Sequence, residues 1–267
     1  MPNAAAAAVS MLAKAGGPCE NICTACAAGT HSIGHAARWI QWGLADVVIA
    51  GGSDALLAET IVGSFGGLGA LSASGVSRPF DVERDGFCIS EGAGVVVLEA
   101  AESAEARNAV PYAEVRGSAS TADAFHLTAP APGHPGAKRC LRLALSDARI
   151  RAEEVTHVNA HGTSTPLNDA AEAAAIREVF GAGGPAVTSI KGVTGHAIGA
   201  AGAIEAVALA LSYRDHSLPP TLVTTSVDPA LDIDVVMGGA RPWDPAPAVS
   251  TSFAFGGHNG VLVLAPV

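Results

Sequence analysis

The sequence predicts an α/β fold built in layers, and two observations carry that expectation. Short apolar runs rich in β-branched residues, at 45–50 and 94–99, alternate with longer segments of helical composition. Strands that apolar bury both faces, so the pattern implies sheets covered by helices on either side. The second observation is a repeat. His31-Ser32-Ile33-Gly34-His35-Ala36 and His196-Ala197-Ile198-Gly199-Ala200-Ala201 both read His-x-Ile-Gly-x-Ala, and each starts five residues after a potentially reactive side chain, Cys26 or Lys191. The spacing predicts one structural unit used twice, with a nucleophile candidate opening one helix and a cation opening its counterpart. Two such helix N-termini facing each other would build a single site.

Each element follows from local composition. Residues 4–15 are Ala-rich and favour a helix, which Gly16-Gly17-Pro18 stops. Residues 19–24 are a short strand candidate leading into Cys26, and 29–42 form an amphipathic helix. The run 45–50 reads as a buried strand ending at Gly51-Gly52, and 63–75, with five glycines, as a loop. Residues 94–99 are another buried strand. The second half repeats the rhythm: strand 112–117, helix 136–148, strand 156–160 running into His161-Gly162, helix 169–180, a very apolar helix 199–213 and a closing strand 260–264 that mirrors 94–98. No low-complexity linker divides the halves, and the repeating unit far exceeds solenoid periods.

Composition bounds the function. The chain has 267 residues, enough for one large domain or two modest ones. Hydrophobic residues make up 49% and charged residues 15%, so there is much to bury and no signature of disorder. No uncharged apolar run reaches the roughly 18–20 residues of a membrane helix. The N-terminus lacks a basic region before its apolar stretch, so no signal peptide is expected. Five cysteines give no even disulfide framework and favour free thiols in a reducing cytoplasm. The formal net charge of −10 argues against bulk nucleic-acid binding. It also disfavours acidic macromolecular partners unless Lys and Arg residues gather in a patch.

Several side chains are candidates for chemistry. Cys26 precedes a helix, whose N-terminal N–H groups and partial positive charge favour a thiolate; the alternative is a buried, inert cysteine. Cys19, Cys23, Cys26 and His31 match no common zinc spacing, so no metal is expected. His161 ends a strand and is followed by small polar residues, where α/β sites form; a satisfied structural histidine is the alternative, as for His196. Lys191 is either a solvated lysine or the partner of Glu205, the one acid in the apolar helix 199–213. Residues 253–259 form a glycine-rich turn that either binds an oxyanion through backbone N–H groups or is simply tight.

Together these segments resemble a family motif by motif. Thr24-Ala25-Cys26-x-x-Gly29, His161-Gly162-Thr163-Ser164-Thr165-Pro166, Lys191-x-x-x-Gly195-His196 and Ser252-Phe253-Ala254-Phe255-Gly256-Gly257-His258-Asn259 occur in the order seen in the elongating β-ketoacyl-acyl-carrier-protein synthases of type II fatty-acid synthesis. Arg78-Pro79-Phe80-Asp81, Arg84-Asp85-Gly86-Phe87 and Asp123-Ala124-Phe125-His126 are also similar to family segments, and the likeness runs from Pro2 to the C-terminus.

The resemblance implies a thiolase-like αβαβα layered fold of two pseudo-repeated halves, residues 1–110 carrying the nucleophile and 111–267 both catalytic histidines. It implies a decarboxylative Claisen condensation. Cys26 would hold the acyl group, His161 and His196 the enolate, and Lys191, with Glu205, would order the site. The N–H groups of Cys26 and Phe255 would form the oxyanion hole. Thr163 and Thr165 would hold the pantetheine arm, Phe65 and Phe255 would meet the acyl chain, and Thr128 would also bind substrate. The implied partner is an acyl carrier protein, whose phosphopantetheine brings the thioester, so no bound cofactor or metal is expected. A cytoplasmic homodimer is implied for the complete enzyme, with no nucleic acid and no membrane.

This sequence departs from the family at Gly69, where a basic residue that meets the carrier is usual, and at Asn168, Thr251 and Ala254. The family's long segment before the nucleophile motif is almost wholly absent, so the N-terminal half is expected to be incomplete, with exposed apolar sheet surface. Two other readings remain. A thiolase acting on CoA thioesters would use a second, late cysteine, whereas the last one here is Cys140. A non-catalytic partner of a full-length synthase would lack the nucleophile, whereas Cys26 is present.

Overall fold

The computed structural model describes residues 1–267. The chain runs through α1 (Ala4–Ala13), α2 (Ala28–Gln41), β1 (Val47–Asp54), α3 (Glu59–Gly67), β2 (Gly92–Glu99), α4 (Ala101–Ala106), β3 (Glu114–Ala122), α5 (Pro135–Ala148), β4 (His157–Asn159), α6 (Pro166–Phe180), β5 (Ala186–Thr188), α7 (Lys191–Thr194), α8 (Ala201–Asp215), β6 (Ser217–Leu218), β7 (Arg241–Pro242), β8 (Ala248–Ala254) and β9 (His258–Ala265). Short 3-10 turns, Ala25–Ala27 and Ile198–Ala200, lead into α2 and α8.

A five-stranded mixed sheet in the order β3-β9-β8-β4-β5 forms the centre. The strands β3, β9 and β8 are antiparallel neighbours, while β8, β4 and β5 run parallel. Side chains on β9 alternate between two cores, as the pleat requires. Val261 and Val263 join Cys140, Leu141 and Ala144 of α5 and Ala173 and Ile176 of α6. Leu262 and Leu264 join Ile33 and Ala36 of α2 and Ala206 and Leu209 of α8. Ala50 of β1 belongs to the second core as well. The layers are therefore the β1–β2 pair, then α2 with α8, then the large sheet, then α5 with α6.

The helices α2 and α8 cross where both carry glycine. A Cβ at Gly29 would stand 2.5 Å from the Ala203 nitrogen, and one at Gly202 would collide with Thr30 Oγ1. Only glycine permits that approach. The architectural repeat is visible here: a 3-10 turn, a helix and an antiparallel strand pair occur as Ala25–Ala27, α2 and β1–β2, and again as Ile198–Ala200, α8 and β8–β9. Its register differs from the one the hexapeptide match predicts. Ala25 and Ile198 each begin their turns at positive φ, 47° and 42°. Cys26 thus corresponds to Gly199, not to Lys191. Lys191 opens the short α7, and His196 precedes the turn, whereas His31 lies inside α2. What the two units share is the need for small residues at the crossing.

Other elements differ from expectation for physical reasons. Residues 19–24 form no strand, because no neighbouring strand lies beside them to complete a ladder. The glycine-rich segment starting at 63 is helical up to Gly67, within α3. β8 escapes a hydrophobic pattern because Ser250, Thr251 and Ser252 interrupt it, yet all three are fully buried. The expected helix cover on both faces holds for the large sheet only. On the outer face of the β1–β2 pair, Val47, Ile49, Val95 and Val97 are 49, 38, 53 and 64% exposed. No residue of α1 is buried. No helix is long and apolar enough to cross a membrane.

Candidate active site

Three reactive side chains converge between the two pseudo-equivalent units. Cys26 sits in the 3-10 turn ahead of α2, His161 just past the end of β4, and His196 between α7 and the turn that leads to α8. Their ligand atoms all lie within 4.8 Å of one another, and all three residues are buried. The imidazoles of His161 and His196 meet edge-on at 5.3 Å, and His196 rests on the Phe87 ring at 4.9 Å.

Backbone interactions fix each histidine. Glu172 of α6, itself fully buried, accepts the His161 and Gly162 N–H groups at 2.8 Å each. Thr251 Oγ1 on β8 donates to the same carboxylate at 2.7 Å. The His196 N–H donates to Cys88 O at 2.8 Å, and its carbonyl accepts from the Ser90 N–H at 3.0 Å. Lys191 lies beside His161. Its Nζ bonds the Glu205 carboxylate, donates to His161 O at 2.6 Å and stands 3.3 Å from His161 Nδ1. An ammonium can only donate. His161 Nδ1 is therefore the acceptor, which leaves the proton on Nε2 and makes this ring a hydrogen-bond donor on its other side.

Burial, reinforced by the Lys191 charge, holds both imidazoles well below the usual histidine range, so both are neutral at pH 7. Burial pushes the Glu205 carboxyl up to about 7, against the pull of Lys191. The thiol departs from expectation. Burial pushes Cys26 up to about 11, while Lys191 and the N–H groups of Phe255 and Cys26 pull it down. Desolvation outweighs the helix N-terminus, and the resting group is a thiol. The two N–H groups face the sulfur, which is the placement expected of oxyanion donors.

One cavity of about 290 Å³ is lined by Cys26, Phe65, Thr128, His161, Thr163, Thr165, His196 and Phe255. Lys191 and Glu205 stand behind its wall, 1% exposed each. Phe65 stacks on Phe255 at 6.2 Å and meets Phe87 edge-on at 5.9 Å, giving an aromatic wall beside Cys26. Thr163 and Thr165 bond each other at 2.9 Å. The Thr165 side chain also caps α6 by accepting from the Asn168 N–H. Cys26, His161 and His196 are the residues here with metal-ligating atoms in one place. The fixed ammonium beside His161 favours an electron-rich oxygen among them over a cation.

Sequence reasoning missed Glu172 and Asp169, whose signal is two acids one turn apart on an otherwise Ala-rich helix just after Thr165-Pro166. It missed Phe87, Phe253 and His134 as cavity residues. For these, distance along the chain hid what the fold brings together.

Comparison with known proteins identifies the family. Residues 1–104 match the family described as beta-ketoacyl synthase, N-terminal domain, and 112–225 match beta-ketoacyl synthase, C-terminal domain. A 3-oxoacyl-[acyl-carrier-protein] synthase 2 of Staphylococcus aureus is 44% identical over 269 residues, which cover 98% of this chain and 67% of that protein. The chain belongs to the β-ketoacyl synthase family. A Coxiella burnetii 3-oxoacyl-[acyl-carrier-protein] synthase 2 is likewise 44% identical over 272 residues, covering 99% of this synthase-family chain and 66% of that protein. Among solved structures, a type II polyketide ketosynthase in complex with its acyl-carrier protein and bound to the hexaketide matches with a TM-score of 0.97 at 38% identity, covering 99% of this chain and 67% of that one. A beta-ketoacyl synthase from Burkholderia phymatum matches with a TM-score of 0.95 at 37% identity, covering 100% and 66%. The fold is thus the thiolase-like fold of the ketosynthases. The chain spans about two thirds of the length of the curated relatives it matches.

Proposed function

We propose that this chain carries the condensing chemistry of a β-ketoacyl-[acyl-carrier-protein] synthase. The observation that supports it best is the buried Cys26, His161 and His196 cluster set over the Lys191–Glu205 pair. In the first half-reaction the Cys26 sulfur attacks an acyl thioester. The neutral His196 imidazole accepts the thiol proton, because His161 has no free lone pair, and relays it to the departing carrier thiolate. The tetrahedral oxyanion lies between the N–H groups of Cys26 and Phe255. In the second half-reaction a malonyl thioester places its carbonyl oxygen on the His161 N–H, beside His196. Its C–C bond breaks, CO2 leaves, and the electron pair moves onto that oxygen as an enolate held by the His161 N–H. The enolate carbon attacks the acyl-Cys26 carbonyl, and the Cys26 thiolate departs and takes up a proton. The product is a β-ketoacyl carrier. Lys191 is a positioning residue whose Nζ fixes the His161 tautomer.

On this reading Thr163 and Thr165 hold the pantetheine arm, Phe65 and Phe255 bound the acyl pocket, and Thr128 also binds substrate. The substrate partner is an acyl carrier protein, no further cofactor is bound, and the complete enzyme is a cytoplasmic homodimer. A thiolase reading has less support. Cys26 is the one cysteine lining the cavity, and Cys140 is buried in α5 with its thiol turned to backbone carbonyls. The test is mass mapping after incubation with an acyl thioester. Acyl adducts are expected on Cys26 alone and none on the Cys26→Ala protein. Label spread over the five cysteines, or no adduct at all, would overturn the proposal and favour a non-catalytic role.

A further inference from the structure

His134 is a buried polar side chain without a partner. It is 2% exposed, it lines the cavity, and neither Nδ1 nor Nε2 has a hydrogen-bond partner. It occupies the N-cap position of α5 at φ 50°, yet its side chain makes no capping bond. Left unmet, both nitrogens would carry the desolvation cost of buried polar groups. A partner that comes and goes with the contents of the cavity removes that cost.

The surroundings define what that partner is. Asp123 Oδ2 stands 3.8 Å from His134 Nδ1, with both side chains 2% exposed. Asp123 is held firmly. Its N–H donates to Gly257 O at 2.8 Å, Oδ1 accepts from Asn259 Nδ2 at 2.8 Å, and Oδ2 accepts from the Ala131 N–H at 3.3 Å. Burial, with Lys138 nearby, outweighs Asp123 and keeps the imidazole below its usual range, hence neutral. A neutral ring beside a fixed carboxylate keeps its proton on the nitrogen facing that carboxylate. Nε2 is left with a lone pair, which accepts from a neutral donor, whereas a free carboxylate would face both that lone pair and the fixed Asp123 carboxylate. The Phe253 ring makes edge contacts to both His134, at 5.0 Å, and His161, at 6.1 Å. The subsite is therefore near His161, in the same cavity that Thr128 and Thr163 line.

We infer that His134 and Asp123 form an acceptor subsite in the cavity wall that takes a hydrogen-bond donor carried by the thioester substrate. This rests on the condensing reading for the identity of the substrate. Two groups of such a substrate share the chemistry: the inner amide N–H of the pantetheine arm and a hydroxyl on the acyl chain. His134 acts as a positioning residue, orienting the thioester for the imidazole pair.

The experiment is equilibrium binding by titration calorimetry with unreactive thioethers, so that it does not depend on turnover. The probes are S-butyl pantetheine, the same molecule with its inner amide replaced by an ester, and S-(3-hydroxybutyl) pantetheine. The protein as it stands is compared with His134→Phe, which removes the acceptor, and His134→Gln, which restores one. The expected result is a preference for amide over ester of about tenfold, lost in His134→Phe and largely kept in His134→Gln. If the preference for the hydroxyl compound collapses in its place, the donor is on the acyl chain and the subsite stands. If neither preference changes in His134→Phe, with melting showing the variant folded, the subsite is overturned and buried water satisfies the ring. If His134→Phe does not fold, the inference is judged on His134→Gln and the native protein, and the absence of any amide or hydroxyl preference in the latter overturns it. Failure of the condensing reading appears separately, as the absence of an acyl-Cys26 adduct.

Discussion

At the scale of single residues, the two histidines are both buried but differ in their partners, and the proposed mechanism gives them different duties. Lys191 fixes His161 as a donor, whereas His196 Nδ1 has no protein partner. His161→Ala is therefore expected to leave single-turnover acylation of Cys26 readily detectable while malonyl decarboxylation falls by about 10²–10³-fold, the usual range for losing one oxyanion donor. His196→Ala should slow both half-reactions. Rapid-quench acylation and CO2 release measured on the same preparations decide it. Equal losses in both half-reactions for His161→Ala would sink the division of labour. The four motifs that carry Cys26, His161, Lys191 and His196 were legible because each chemistry-bearing residue is flanked by small residues that its local backbone requires, as at Gly162, where φ is 40°. The resting state of the thiol was not legible. A helix N-terminus shows in sequence, but the burial that overrides it at Cys26 is built by the fold, which packs the thiol in a cluster with Phe87 and Ile198, both remote along the chain.

At the scale of elements, α6 and the α2–α8 crossing position the site, and each can be probed. Asp169 on α6 is fully buried and accepts the Phe80 N–H at 2.7 Å. Burial pushes its carboxyl from 3.8 to about 7, with Glu172 adding to the shift. Between those values the folded chain keeps a proton that the unfolded chain has lost. This carboxyl therefore makes stability fall as pH rises through the window from about 3.8 to 7. Asp169→Asn should gain stability relative to the native protein across that window and lose the advantage below it. Denaturant titrations at several pH values measure this, and a pH-independent difference would refute it. At the crossing, Gly202→Ala forces a Cβ into Thr30 and should cost about 1–3 kcal/mol as overpacking. Gly63→Ala, in α3 with open space around it, should be neutral or stabilise by up to about 1 kcal/mol. Thermal melts of the pair check the contrast, and equal shifts would mean the crossing is looser than drawn. Helices α2, α5, α6 and α8 were legible from apolar periodicity and helix-forming composition. Their register as a repeat was misread because the hexapeptide match reflects small-residue packing, whereas the structural equivalence is set by the two 3-10 turns. β8 was invisible because a strand buried on both faces tolerates Ser and Thr when each hydroxyl is bonded, as Thr251 is to Glu172.

At the scale of the whole molecule, the large sheet is closed by helices on both faces and the β1–β2 pair is not. Its inner side chains, Val48, Val96 and Leu98, pack on the core shared with α2 and α8. Its outer ones alternate with them, and Val47, Ile49, Val95 and Val97 face solvent as one apolar strip, with Ile49 directly opposite Val97 in the ladder. Because this sheet has two strands only, both outer edges also carry unpaired N–H and C=O groups. Open edges template further strands, and contiguous apolar surface drives association. The chain alone is therefore expected to self-associate, with an apparent mass in gel filtration that rises with concentration. Replacing Val95 and Val97 together by Thr and Lys puts polar and charged groups on the strip without touching the inner face. That variant should shift the population toward monomer while leaving the melting temperature within a few degrees, since exposed positions away from the core usually change stability by less than about 0.5 kcal/mol. Gel filtration with light scattering across a concentration series reads the outcome. A native chain that stays monodisperse as a monomer at every concentration would show that the strip is too small to drive association. An unchanged oligomer in the variant would place the contact elsewhere, with the exposed Met11 and Leu12 of α1 as the next surface to alter.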